Sequence, residues 1–221
     1  PGNIYVNTGG GDAVLNQYTV TGELSSSVPT SRSYTDIAFS SDGLTLYGIV
    51  PGAPAVLYTI DPATGAETAS LAITGLPATG YYANALSALA DGSLLVGAAP
   101  GSGAVSQQIF RIDPATGVAS PFAASFPVGF GSAGDFLSLS DGDILAVGSA
   151  GTGAGSVLFR IKPDFSVVQV GTVPESYGAA QNAGRIYLAG SSGDIYEIEN
   201  VPAVASSAPI ATTTIASTGL P

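Results

Sequence analysis

Apolar residues in this chain come in short runs such as "LYGIV", "SLLVGA" and "ILAVG", each broken off by Gly, Pro, Asp, Ser or Thr. Runs of that length bounded by turn residues read as strands, and no stretch sustains a helical period. With 30 Gly and 15 Pro, the chain is also too rich in helix breakers for long helices. The runs are apolar on consecutive positions rather than on alternate ones, so both faces of each strand must be covered by other protein.

The runs recur in order. "LYTIDPATG" beginning at Leu57 returns as "IFRIDPATG" at Ile109, and in altered form as "LFRIKPDFS" at Leu158, "IYEIENVPA" at Ile195 and "NQYTVTGE" at Asn16. The aligned aromatics Tyr18, Tyr58, Phe110, Phe159 and Tyr196 are separated by 40, 52, 49 and 37 residues. The mean period of about 44 accounts for the whole chain in five units. Upstream of most copies lies a second marker, a strand, a turn and another strand. It reads "DIAFSSDGLTLYGI" from Asp36, "NALSALADGSLLVGA" from Asn84, "DFLSLSDGDILAVGS" from Asp135 and "GAAQNAGRIYLAGS" from Gly178. Asp-Gly between apolar runs is a strong hairpin signal, because Gly takes positive φ at no Cβ cost.

Each unit thus reads as four strands, a to d, with a hairpin after a, a longer loop after b and the "DPATG" turn after c. A four-stranded unit repeated at about 44 residues and buried on both faces predicts an all-β, five-bladed β-propeller. Its blades fall at approximately 1–30, 31–77, 78–129, 130–174 and 175–221 of a single domain. The first copy begins at strand b, "NIYVNT", and the last ends at strand d, "IATTTIAST", which leaves one blade without its innermost strand. Either residues outside this chain supply that strand or the blade has three. The chain opens on Pro1 and contains no Met, and "TGLP" ends both the second copy, at Pro77, and the chain, at Pro221. This reads as a piece excised from a longer polypeptide at a blade boundary.

"IYVNTGGGDAVLNQYTVTGE" from Ile4 is similar to the YVTN-type repeat, and "LYxIDPATG" resembles the propeller repeats of secreted bacterial cell-surface proteins. The resemblance implies an extracellular location and a propeller architecture.

Composition removes several function classes. The net charge of −11 leaves no basic stripe for nucleic acid and repels anionic membrane surfaces. The mean hydropathy is +0.39, but the longest uncharged stretch, Thr68 to Ala90, is interrupted by Gly75, Pro77 and Gly80, so no membrane insertion is expected. Without Cys or His there is no disulfide, thiol nucleophile, His-based triad or Cys/His metal site.

The remaining chemistry lies in carboxylates, amides and tyrosines. Asp42, Asp91 and Asp141 in the hairpins, and Asp61 and Asp113 in the "DPATG" turns, fit local turn chemistry, in which Asp accepts from backbone N–H groups two residues on. The segments leading into the innermost strands bring Tyr34, Asp36, Tyr82, Asn84, Asp135 and Tyr177 towards the expected channel mouth. Aromatic planes beside oxygen acceptors suit a carbohydrate; the competing role is blade packing for Tyr and strand capping for Asp and Asn. Asp36, Asp135 and Glu175 are the acids to test for glycoside hydrolysis, which needs two carboxylates. No cofactor is required. A calcium ion held by Asp36, Asp135 and carbonyls is the one metal site to consider, since "GGGD" at Gly9 to Asp12 is a single copy and "DGD" at Asp141 to Asp143 lacks further acidic ligands.

Three readings follow. The first is a non-enzymatic adhesion or ligand-binding module at the bacterial cell surface, with a glycan or surface-protein ligand and contacts to neighbouring domains of the same polypeptide. The alternatives are a glycoside-processing enzyme and a structural spacer.

Overall fold

Each apolar run becomes a strand, and each Gly-bearing turn brings the chain back beside itself. The computed structural model describes residues 3–8, 13–19, 23–77, 81–100, 108–122, 133–149, 155–182, 185–190, 194–198, 201 and 209–217. The first sheet holds β1 (Ile4–Thr8), β2 (Val14–Tyr18) and β3 (Leu24–Pro29), and the second β4 (Asp36–Phe39), β5 (Leu46–Val50), β6 (Val56–Ile60) and β7 (Glu67–Ala72). The third holds β8 (Tyr81–Ala88), β9 (Leu94–Pro100), β10 (Gln108–Ile112) and β11 (Ala119–Pro121). β12 (Ala133–Ser138), β13 (Ile144–Ser149), β14 (Ser156–Ile161) and β15 (Val167–Val173) form the fourth. β16 (Ser176–Asn182), β17 (Arg185–Gly190), β18 (Asp194–Ile198) and β19 (Thr212–Ser217) form the fifth. Strand order within every sheet follows the chain. The protein is an all-β, five-bladed β-propeller, as the repeat predicts, and among the described residues its first blade has three strands.

Tertiary contacts divide the chain into two compact units, Pro1–Val96 with Arg111–Ser120, and Gly97–Phe110 with Pro121–Pro221. The first and second sheets belong to one unit, the fourth and fifth to the other, and the third contributes to both.

Burial explains the consecutive apolar runs. Leu94, Leu95 and Val96 are fully buried in succession, and so are Leu145, Ala146 and Val147, which requires protein on both faces of β9 and β13. In the first unit, Leu15 packs with Tyr34, Leu46, Tyr58 and Ile60 between the first two sheets. In the second, Leu145, Val147, Leu158, Val170 and Val173 meet Ile186, Leu188 and Ile198 between the last two.

The turns follow their residues. Asp42, Asp91 and Asp141 each accept, through Oδ1, the N–H two residues on, from Leu44, Ser93 and Asp143. The two "IDPATG" copies fold identically. Asp61 Oδ1 accepts from Ala63 N at 2.9 Å and its Oδ2 from Thr64 Oγ1 at 2.9 Å; Asp113 does the same with Ala115 and Thr116 at the same distances. Gly65 and Gly117 close the turns with φ of 72° and 71°. A Cβ on Gly65 would collide with the Pro29 carbonyl at the end of β3, and one on Gly117 with the Ala72 carbonyl at the end of β7. The repeated hexapeptide is therefore a turn that abuts the last strand of the preceding blade, where only glycine fits.

The altered copy at Lys162 is one residue shorter. Lys162 N donates to Ser166 O, whereas Asp61 N reaches Ala66 O. Shortening moves Phe165 into the left-handed position, with φ of 67°. Its ring packs edge-on against Phe122 at 5.1 Å between centroids.

Candidate functional site

The residues expected at the binding mouth sit at the beginning of the first strands of the second to fifth sheets, β4, β8, β12 and β16. Asp36 begins β4. Its Oδ1 accepts from Ile37 N at 2.8 Å and its Oδ2 from Leu86 N at 2.6 Å, so the carboxylate ties β4 to β8. Asp135 occupies the same place in β12, accepting from Phe136 N at 2.7 Å and from Ala179 N of β16 at 2.8 Å. Burial pushes the Asp135 carboxyl up to about 7, against the two N–H groups that favour its ionised form. Each aspartate spends both oxygens on backbone donors and joins neighbouring blades, beyond capping its own strand.

Tyr34 is 3 % exposed and belongs to the core between the first and second sheets. Its ring lies so close to Gly48 that a Cβ there would come within 2.6 Å of Tyr34 Cδ1, and its hydroxyl donates to Glu67 Oε1 at 2.9 Å. Burial, reinforced by that carboxylate, raises the phenol pKa above its ordinary value. The position leaves Tyr34 no open face on which a sugar ring can stack. Asn84 lies in β8 with its Oδ1 withdrawn from solvent. The side chains of Tyr82 and Tyr177 lie outside the described residues. Glu175 is half-buried in the bend between β15 and β16.

Among the described residues no three Asp or Glu side chains converge as a metal site, and Asp36 and Asp135 belong to different units. "GGGD" lies outside the described residues. The "DGD" acids serve cations of the protein itself: Arg160 Nη1 donates to Asp141 Oδ2 and Asp143 Oδ2, both at 2.6 Å, and Lys162 Nζ reaches Asp143 Oδ2 at 2.6 Å.

The cations form a second pattern that reading the strands alone did not reveal. The chain has five Lys and Arg residues, and every one of them is ion-paired. Arg32 grips Glu67 in a fork, Nε to Oε1 at 2.5 Å and Nη2 to Oε2 at 3.0 Å, and gives Nη1 to the Tyr58 hydroxyl at 2.8 Å. Arg111 and Arg160 share one position, the variable residue of "LYxI" in the third strand, and each pairs with its blade's hairpin aspartate, Asp91 or Asp141. In the fifth blade the signs are exchanged: Glu197 holds that position and pairs with Arg185 of β17 at 2.8 Å. The signal was available in that column, which reads Thr59, Arg111, Arg160 and Glu197 in a chain with almost no other basic residues.

No family model matches the chain, and no curated protein does. Solved structures do. A luciferin-regenerating enzyme is similar at 13 % identity, with 91 % of this chain and 69 % of that one aligned and a TM-score of 0.59. A candidate gluconolactonase is similar at 16 % identity over 88 % of this chain and 72 % of the other, with a TM-score of 0.56. A Bacteroides thetaiotaomicron protein of unknown function aligns at 13 % identity over 89 % of this chain but only 52 % of its own, with a TM-score of 0.59. Identities this low show a shared fold, one used by enzymes and by proteins of unknown role alike. Among the described residues, no helix is long and apolar enough to cross a membrane.

Proposed function

We propose that the chain is a non-catalytic binding module that presents the segments leading into its first strands to a carbohydrate ligand. The observation that carries this reading is the commitment of Asp36 and Asp135, two of the three candidate catalytic acids, to backbone N–H groups of their own and the next blade. Both act as frame, and neither offers an oxygen free of such a bond. The complete pairing of the cations supports a ligand without anionic groups, because no Lys or Arg is left to grip one. Tyr82, Asn84 and Tyr177 are the candidate contact residues of this reading, while Asp36 ties β4 to β8 and Asp135 ties β12 to β16, each within its own unit. The resemblance of the "LYxIDPATG" repeats to surface proteins favours a bacterial cell-surface location beside other domains of a longer polypeptide.

A glycan array with the wild type and with Tyr82→Ala and Tyr177→Ala variants tests it. The expected result is a restricted set of bound glycans, lost in a variant whose melting temperature is unchanged. A blank array leaves the spacer as the better account.

A second reading, a sugar-processing enzyme, has its own support: two of the similar structures are the luciferin-regenerating enzyme and the candidate gluconolactonase. The comparisons lean towards this reading and the carboxylate geometry leans away from it. Glu175, half-buried and outside the two aspartate bridges, is its first residue to test. Turnover of chromogenic glycosides or sugar lactones, abolished by Glu175→Gln with the fold intact, would establish catalysis; inactivity across such a panel ends it.

A further inference from the structure

The strand β8 runs from the segment carrying Tyr82 to a hairpin at its other end, and there the third blade holds a cleft of about 500 Å³. The hairpin lines it with Asp91 and Ser93, β10 with Arg111, the second "IDPATG" turn with Asp113, and the residue after that turn with Val118. Every lining residue belongs to one unit.

Polar groups of both signs face this cleft with bonding capacity to spare. Arg111 gives Nε to Ser93 Oγ at 2.8 Å and Nη2 to Asp91 Oδ2, and its Nη1 has no partner among the described residues. Asp113 accepts from Ala115 N and Thr116 Oγ1 of its own turn, which holds its carboxyl below the ordinary range and hence ionised at neutral pH. Each Lys and Arg of the chain is paired with another acid, so none neutralises Asp113. The fourth blade shows what completes such a corner. Asp143 stands there in place of Ser93 and Lys162 in place of Asp113, and Lys162 Nζ donates to Asp143 Oδ2 at 2.6 Å. Where the fourth blade inserts an ammonium group of its own, the third has a cleft with two carboxylates to one guanidinium. Val118, 54 % exposed, and Pro114 add apolar surface to it, and Ser120 adds a hydroxyl.

We propose that this cleft binds an amino sugar with a free ammonium group, at a site separate from the segments leading into the first strands. Asp113 takes the ammonium in place of the lysine that the fourth blade carries, and a neighbouring sugar oxygen accepts from Arg111 Nη1. The C–H face of the ring rests on Val118 and Pro114. The net charge of −11 draws a cationic sugar towards the cleft and disfavours an anionic one.

The probes are methyl glucosaminide, its N-acetylated counterpart and ethanolamine, titrated into the intact chain at about pH 6, where the amines are protonated, and followed by backbone amide shifts. Methyl glucosaminide is expected to give saturable shifts at Ser93, Arg111 and Ala115, with the N-acetylated sugar and ethanolamine each weaker by about tenfold or more, since each lacks part of the match. Asp113→Asn, which keeps an acceptor for Ala115 N, should weaken binding by about tenfold, and Arg111→Met by several-fold. Four results overturn the proposal. They are an absence of saturable shifts, equal binding of the N-acetylated sugar or of ethanolamine, binding unchanged in both variants, and shifts in β4, β12 or β16 in place of the cleft.

Discussion

Gly117 lies against the carbonyl oxygen of Ala72, such that a Cβ placed on it would stand 2.6 Å from that oxygen. Two penalties meet there, since Gly117 also has φ of 71°. Gly92 separates them: it has φ of 86° but nothing within 4 Å of its Cβ position. Gly92→Ala is expected to cost about 1 kcal/mol from the left-handed backbone alone, and Gly117→Ala about 2 to 4 kcal/mol from backbone and collision together. Denaturant unfolding of the two variants checks it. Equal costs would mean that the turn does not brace the preceding blade.

The difference between these glycines marks how far the sequence was legible. Strands, hairpins and the "DPATG" turn depend on residues close together in the chain, so "LYGIV" and "SDG" reveal them directly. The role of Asp36 depends on Leu86 N, fifty residues away. A backbone donor leaves no trace in residue type, so capping was foreseeable and the bridge to the next blade was not. The burial of Tyr34 was illegible for a related reason: Gly48 leaves room for its ring from another strand, and tyrosine in a loop has the same letter whether it faces solvent or core.

Arg111 and Arg160 hold the same place in their blades but differ in burial. The Arg111–Asp91 pair is about half exposed, at 46 % and 50 % for the two side chains, whereas Arg160 and Asp143 are 8 % and 7 % exposed. Arg111→Met is therefore expected to cost less than about 1 kcal/mol. Arg160→Met strands Asp143 with only Lys162 and is expected to cost about 3 to 5 kcal/mol. The check is a pair of urea titrations at low and high salt, with salt weakening only the Arg111 contribution. Similar costs for both would contradict the buried pairing.

Glu67 gathers the Arg32 fork and the Tyr34 hydroxyl at one carboxylate. Glu67→Ala leaves a phenol donor in the core without its acceptor and is expected to cost about 1 to 3 kcal/mol. Tyr34→Phe in that background removes the stranded donor, so the double variant should recover part of the loss. A thermodynamic cycle over the four proteins measures the coupling. Strict additivity would show that the hydroxyl and the carboxylate act independently.

The pH profile has two opposed limbs. Asp42, Asp61, Asp91, Asp113, Asp141 and Asp164 are held below the ordinary carboxyl range, chiefly by hydrogen bonds within their turns and, for Asp141, by Arg160. Their stabilisation is complete above the unfolded value of about 3.9 and is lost as the pH falls through their folded values. Asp135 acts in the opposite direction. Its folded value near 7 lies above the unfolded one, so between about pH 4 and 7 the folded state binds the extra proton and stability falls as the pH rises. The Asp135 contribution is thus complete below about pH 4 and lost as the pH rises towards 7. Asp135→Asn removes the descending limb, keeps one acceptor oxygen for the bridge and leaves the acid limb in place. Melting temperatures of both proteins from pH 3 to 8 should diverge from about pH 4 upward in slope, the wild type falling more steeply. Parallel curves across that range would mean that Asp135 titrates as an ordinary carboxylate and that its bridge to Ala179 is made in the ionised form throughout.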